Sequence, residues 1–276
     1  MTRLHTLTVG TAGPRIAFCH GLFGQGRNWA QIAKGVSGPD GTDARCLLID
    51  LPDHGRSPWS SEFSYPAYAA ALAAALERAG GATPWTLVGH SLGGKVAMMT
   101  ALAHSDYVER LVIVDIAPKG YGNLHRFAGY IAAMQTLPLD VLTSREEADD
   151  RLAAVEPDAG IRAFLLQNLR RDGEGWRWQV NLDLIAADAA RGEDSRIAAF
   201  PEQAGDHRPY LGPVMWVAGA RSPYIQDGDE HPMRALFPRV RKLTVKDAGH
   251  WVHTDQPEIT VTVLRSLLAQ PIVEGP

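Results

Sequence analysis

A serine hydroxyl raised on a sharp turn can attack a carbonyl carbon, and residues 85–98, WTLVGHSLGGKVAM, put one there. An apolar, β-rich run ends at Ser91, glycines 89, 93 and 94 surround it, and a helix-forming run follows at once. Glycine tolerates backbone angles and close approaches that a Cβ forbids, so the turn can be tight. The G-x-S-x-G pattern between strand and helix is that of a nucleophile elbow. A serine at its free pKa is a weak nucleophile and needs a base within hydrogen-bond reach. His250, in KDAGHWVHTDQP, is the expected base, with His253 on the same stretch as the alternative. Gly249 leaves the loop free to project His250.

Acyl transfer also needs N–H groups aimed at the oxygen where negative charge develops. The glycine-rich FCHGLFGQGRNW supplies one, the backbone amide of Leu22 or, less favourably, that of Phe23. The amide of Leu92, directly after the nucleophile, supplies the second. His20 reads as a loop tie rather than a catalytic group, and so do the charged residues of DLPDHGRSP at 50–58.

These residues must be carried by a scaffold, and the hydrophobic pattern describes one. Short apolar runs at 15–19, 46–49, 85–88, 111–114, 214–218 and 240–245 read as buried parallel strands. Helical patterns at 29–36, 65–78, 95–103, 233–236 and 257–269 fall between or after them. Alternating strands and helices predict an α/β fold, a mostly parallel central sheet flanked by helices on both faces. The rhythm breaks over residues 119–209, where helical segments at 124–135, 144–155 and 159–170 surround a short strand or turn at 176–180. This predicts a helical lid inserted before the penultimate strand, with 1–118 and 210–276 forming the core. Phe23 from the core, and Phe127 and Trp178 from the lid, are the expected substrate-pocket residues, with core packing the alternative for any one of the lid aromatics.

Composition narrows the partners. The 276 residues are 45% hydrophobic and 21% charged, enough for a large core. A net charge of −4 and the lack of a basic run argue against nucleic acid. No stretch is apolar for long enough to span a membrane, and the N-terminal residues lack a signal-peptide core. The expected setting is therefore cytoplasmic, where Cys19 and Cys46 would be buried free thiols. Neither cysteine has the spacing of a metal ligand, and no metal site is expected.

In order and spacing, HGLFGQGRNW, DLPDHGRSP, GHSLGGKVAM, LVIVDIAPKGY and AGHWVHTDQP resemble the α/β-hydrolase superfamily. The resemblance is to its small bacterial acyl esterases and their mitochondrial abhydrolase-domain relatives, over nearly the full chain. It implies a Ser/His/Asp hydrolase cleaving carboxylic esters or thioesters through an acyl-enzyme, with no cofactor. One departure bears on the acid. The turn after 214–218 is GARSPY, with Ser222 where an Asp is usual, and Asp227 and Asp229 lie farther on. Asp115, ending LVIVD, is the favoured replacement, as in esterases of the resembled subgroup, and Asp183 in the lid is the second candidate. Perhydrolase or haloperoxidase-like chemistry, a lyase reaction and a non-catalytic small-molecule receptor remain alternatives on this fold. The partner is a small molecule, and monomer and dimer stay open.

Overall fold

The computed structural model describes residues 3–38, 43–122, 124–200 and 202–271. The extreme ends of the expected core segments, residues 39–42, and positions 123 and 201 of the expected lid lie outside the described residues. In chain order the elements are β1 (Thr6–Val9), β2 (Arg15–Cys19), α1 (Ala30–Ser37), β3 (Arg45–Ile49), α2 (Tyr65–Gly80), β4 (Trp85–His90), α3 (Leu92–Ala103) and β5 (Val108–Val114). Next come α4 (His125–Gln135), α5 (Arg145–Ala153), α6 (Ala159–Leu166), β6 (Leu169–Asp172), β7 (Gly175–Trp178) and α7 (Leu182–Ala189). The chain closes with β8 (Val214–Gly219), α8 (Glu230–Leu236), β9 (Val240–Val245), α9 (Val252–Asp255) and α10 (Pro257–Ala269).

Seven strands form one sheet in the order β1-β3-β2-β4-β5-β8-β9, parallel except for β1, which pairs antiparallel with β3. The central strand β4 is buried at every position, whereas β1 and β9 at the edges keep exposed residues. That difference explains why β1 was not foreseen: TLTV is too short and too polar to announce a buried strand. Ala17, Leu47, Leu87 and Ile113 face α2 and α3 on one side of the sheet. Ile16, Leu48, Val88 and Val112 face α1 and α10 on the other. Cys19 and Cys46 fall on opposite faces, both buried and both free, so pairing of their strands does not bring the thiols together.

The 65–78 helix begins where its chemistry says it should. Ser64 accepts the Ala67 amide as N-cap and a proline occupies the first turn. Between β5 and β8 the insertion carries α4 to α7 together with β6 and β7, so it is not purely helical. The helix expected to reach Arg170 stops at Leu166, because β6 and β7 make an antiparallel ribbon that pairs Arg170 with Arg177. The turn between them contains Asp172-Gly173, with Gly173 at φ +60°, a hairpin signal the helical reading passed over. The helix α7 also went unforeseen. The insertion is bonded to loops at the carboxyl ends of the sheet strands. Asn168 donates to the Phe23 carbonyl (2.8 Å), and Asn181 donates to the Asp53 carboxylate (2.7 Å).

Candidate active site

Ser91 sits between β4 and α3 at φ +53°, ψ −119°, a strained corner for a residue with a side chain. Two glycines make the corner possible. A Cβ on Gly89 would come within 2.2 Å of the Gly93 carbonyl, and one on Gly93 within 2.4 Å of the His20 carbonyl. The elbow and the loop after β2 therefore interlock through the absence of side chains.

That loop is fixed by two neutral imidazoles. His20 donates from Nδ1 to the Gly21 carbonyl (2.8 Å) and accepts the Leu51 amide at Nε2 (3.0 Å). His54 donates from Nδ1 to the Pro52 carbonyl (2.9 Å) and accepts the Phe23 amide (3.3 Å). Burial, the largest cause, pushes His20 down to about 3 and lowers His54 as well, so both remain uncharged at neutral pH. Phe23 is thereby occupied as a donor. The Leu22 and Leu92 amides have no acceptor among the described residues, and both residues line the same cavity as Ser91.

On the other side, His250 donates from Nδ1 to Oδ2 of Asp115 at 2.8 Å. Asp115 is fully buried at the end of β5, at φ +51°. Its carboxylate also accepts the Gly219 amide (2.9 Å) and the Ser222 hydroxyl. The position where an acid is usual thus carries a residue that holds the carboxylate from the neighbouring strand. Of the other acids considered, Asp183 is exposed on the first turn of α7. Asp227 lies in the same short 3₁₀ turn as Asp229, and Asp229 pairs with Lys119 (2.6 Å).

The His250 carbonyl accepts the Nε2 proton of His90 (2.8 Å), and the Tyr224 ring stacks on the imidazole. His253, the alternative base, is buried in α9 and stacked on Trp29, with ring centroids 4.2 Å apart. Burial, more than its neighbour His250, pushes it down to about 3. Its Nδ1 and the Trp29 Nε1 are buried without a partner among the described residues.

Two cavities meet at Ser91. The larger, about 270 Å³, is walled by Leu22, Leu92, Tyr65, Lys95, Tyr121, Ile197 and Tyr224. The smaller, about 40 Å³, is walled by aromatic residues including Phe23, Phe164 and Trp251, and it contains His250. Phe127 borders both. Phe23 borders the smaller cavity, with its ring 6.0 Å from that of Phe127. Trp178 lines neither cavity: it is buried and paired with Leu169 across the ribbon, the core alternative, because the hairpin turns it away from Ser91. Lys95, four residues after Ser91, also borders the larger cavity. The one sign of it in the sequence was a lysine inside an otherwise apolar helical run, and Lys95 is buried there.

Comparison with known proteins shows the family. The alpha/beta hydrolase fold family matches residues 14–257. The chain is 40% identical over 260 residues to the sn-1-specific diacylglycerol lipase ABHD11 of Mus musculus, covering 93% of this chain and 81% of that protein. It is 31% identical over 255 residues to Esterase YbfF of Escherichia coli (strain K12), covering 92% of each. A solved structure described as a marine microorganism esterase superposes with a TM-score of 0.87 at 30% identity, covering 96% of this chain and 98% of that one.

Proposed function

As this chain belongs to the α/β hydrolase family and is a carboxylic ester hydrolase, we propose that it works through a Ser91–His250–Asp115 triad and a covalent acyl-serine. The observation that carries this is the 2.8 Å bond from His250 to buried Asp115, made by an imidazole that borders the same cavity as Ser91. With Nδ1–H committed to the carboxylate, the Nε2 lone pair of His250 is the base. It takes the Ser91 proton as Oγ attacks the substrate carbonyl, and the Leu22 and Leu92 amides receive the oxyanion. Asp115 holds the tautomer and stabilises the imidazolium. His250 then protonates the leaving oxygen, water attacks the acyl-serine, and the acid departs.

The general acid must reach the leaving atom, so the leaving group occupies the smaller cavity on the His250 side. The acyl group occupies the larger one beside the oxyanion amides. The same chemistry serves a thioester, whose leaving sulfur needs less protonation. We read residues 119–209 as a lid and 1–118 with 210–276 as the core, with Phe127 at the junction of the two cavities. The two free buried thiols suit a reducing compartment such as the cytoplasm, and no described helix is long and apolar enough to cross a membrane.

The test is labelling with a fluorophosphonate, followed by turnover of p-nitrophenyl esters of increasing chain length. Wild type should label and turn over. Ser91→Ala should stay folded, fail to label, and lose on the order of a millionfold in turnover. Retention of a few per cent of the wild-type rate by Ser91→Ala would rule out the assignment.

A further inference from the structure

The larger cavity is bordered by a lysine with no counter-ion among the described residues. Lys95 lies one helical turn beyond Ser91 on α3, its side chain buried and bordering the cavity. Its ammonium donates to the backbone carbonyls of Ala198 (2.7 Å) and Ala199 (2.6 Å). It also sits over the rings of Tyr121 (4.9 Å) and Tyr65 (5.8 Å). No carboxylate stands within ion-pair distance of it among the described residues. An ammonium has three donors, and two are used here.

Buried charges in proteins are paired, because an isolated one carries a large desolvation cost. Two carbonyl dipoles and two ring faces compensate a lysine only in part. Burial accordingly pushes Lys95 down to about 7. The hydroxyls around it do not supply the missing charge. Tyr121 donates to the Tyr224 carbonyl (2.8 Å) and Tyr65 to the Ile197 carbonyl (2.8 Å), and the same environment raises both phenols, keeping them neutral. A purely hydrocarbon acyl chain would leave this cation facing apolar atoms. An acyl chain ending in a carboxylate would complete its third hydrogen bond and neutralise it.

We propose that Lys95 is a specificity-determining residue, and that the preferred acyl groups are short chains bearing a terminal carboxylate, that is, half-esters or half-thioesters of dicarboxylic acids. This rests on the assignment of the larger cavity to the acyl group. The Lys95 amide donates to the Ser91 carbonyl (3.1 Å), and both residues border the same cavity. The acid group therefore sits only a few bonds from the scissile carbonyl. The charge is read in the ground state and in the transition state alike, so the selection appears chiefly in KM.

The test compares 4-methylumbelliferyl half-esters of succinate, glutarate and adipate with uncharged esters of matched chain length, each corrected for its spontaneous hydrolysis. Wild type should favour at least one carboxylated member by tenfold or more in kcat/KM, mostly through a lower KM. Free dicarboxylates should inhibit competitively, more strongly than the corresponding monocarboxylates. Lys95→Met should reverse the preference toward the uncharged ester, while Lys95→Arg retains part of it. Equal or better turnover of the uncharged esters by wild type, or the same preference in Lys95→Met, would overturn the proposal. Should Lys95→Met fail to fold, the wild-type ratio and the inhibition by free dicarboxylates decide the matter alone. Fluorophosphonate labelling of Ser91 separates the two readings. A labelled enzyme without charge preference defeats only this inference, and an unlabelled one defeats the hydrolytic assignment.

Discussion

Tyr224 lies flat on His250, with ring centroids 3.9 Å apart and planes 15° from parallel. The contact is worth most when the imidazole is charged, because a ring face attracts a cation. In the proposed mechanism that happens only as Ser91 is deprotonated. Tyr224→Leu should therefore lower kcat more than it raises KM. At about 0.5–2 kcal/mol for such a contact, the loss is roughly 2- to 30-fold. Steady-state kinetics on one short ester will check it. A rise in KM with kcat intact would make Tyr224 a binding residue only.

Asp115 and Asp183 provide a direct comparison of acids. Asp115→Asn should cost about 10⁴-fold in kcat, since an amide neither fixes the imidazole tautomer nor stabilises its charged form. Asp183→Asn, an exposed change at a helix start, should alter kcat by less than about twofold and stability by under about 1 kcal/mol. Ser222→Ala removes one of the donors to Asp115 and should cost about tenfold or less. The three variants are to be assayed at one pH with thermal midpoints alongside. Greater loss in Asp183→Asn than in Asp115→Asn would transfer the acid to the insertion.

Phe127 and Trp178 separate pocket from core. Phe127→Ala should shift the chain-length profile of p-nitrophenyl esters, because the ring borders both cavities. Trp178→Ala should leave the profile alone and destabilise the protein by about 3–5 kcal/mol, the usual result of emptying a buried aromatic site. Denaturant midpoints and substrate profiles measured on both variants distinguish the two effects. A changed profile in Trp178→Ala at full stability would contradict the assignment.

Lys95 should make stability depend on pH in a definite direction. Its pKa in the folded protein, about 7, lies below its ordinary 10.5. Below pH 7 the lysine is charged in both folded and unfolded states, and the full cost of the buried charge is present. Between about pH 7 and 10.5 the folded protein releases the proton while the unfolded chain keeps it, so stability rises with pH. Lys95→Met does not titrate. The stability of Lys95→Met relative to wild type should therefore be most favourable below pH 7. It should decline as pH rises, with a slope approaching about 1.4 kcal/mol per pH unit. Urea titrations at intervals from pH 6 to 10 will measure it, and a pH-independent difference would show that the ammonium carries no burial cost.

The parts legible from sequence are those in which one local rule acts alone. The buried strands β2, β3, β4, β5 and β8 show as short apolar runs, and the elbow shows because its glycines and serine fall within a few residues of one another. The expectation of Asp115 as the acid rests on an absence, since Ser222 occupies the usual place; the structure shows its hydroxyl donating to the Asp115 carboxylate. The insertion was least legible. Its ribbon is rich in arginine, so β6 gives no apolar alternation, and Trp178 cannot be oriented without it. Lys95 stayed hidden for another reason. In a helix surrounded by apolar residues, a lysine reads as a solvated position, and only the folded chain shows Ala198 and Ala199 closing over it.

Placing the acid at the end of β5 makes Asp115 nearly contiguous with the insertion, which begins at residue 119. A carboxylate placed there, the acid of the proposed triad, keeps its position only if the residues that follow it are held. They are braced on two sides. The Ile116 carbonyl is held by the Trp216 indole from β8 (2.8 Å), and the Ala117 amide by the Tyr121 hydroxyl (2.9 Å). The Asp115 amide is itself bonded to the Val217 carbonyl (2.8 Å). The Val217 and Trp216 bonds tie the backbone at Asp115 and Ile116 to β8, while Ala117 is tied to Tyr121 at the start of the 119–209 stretch.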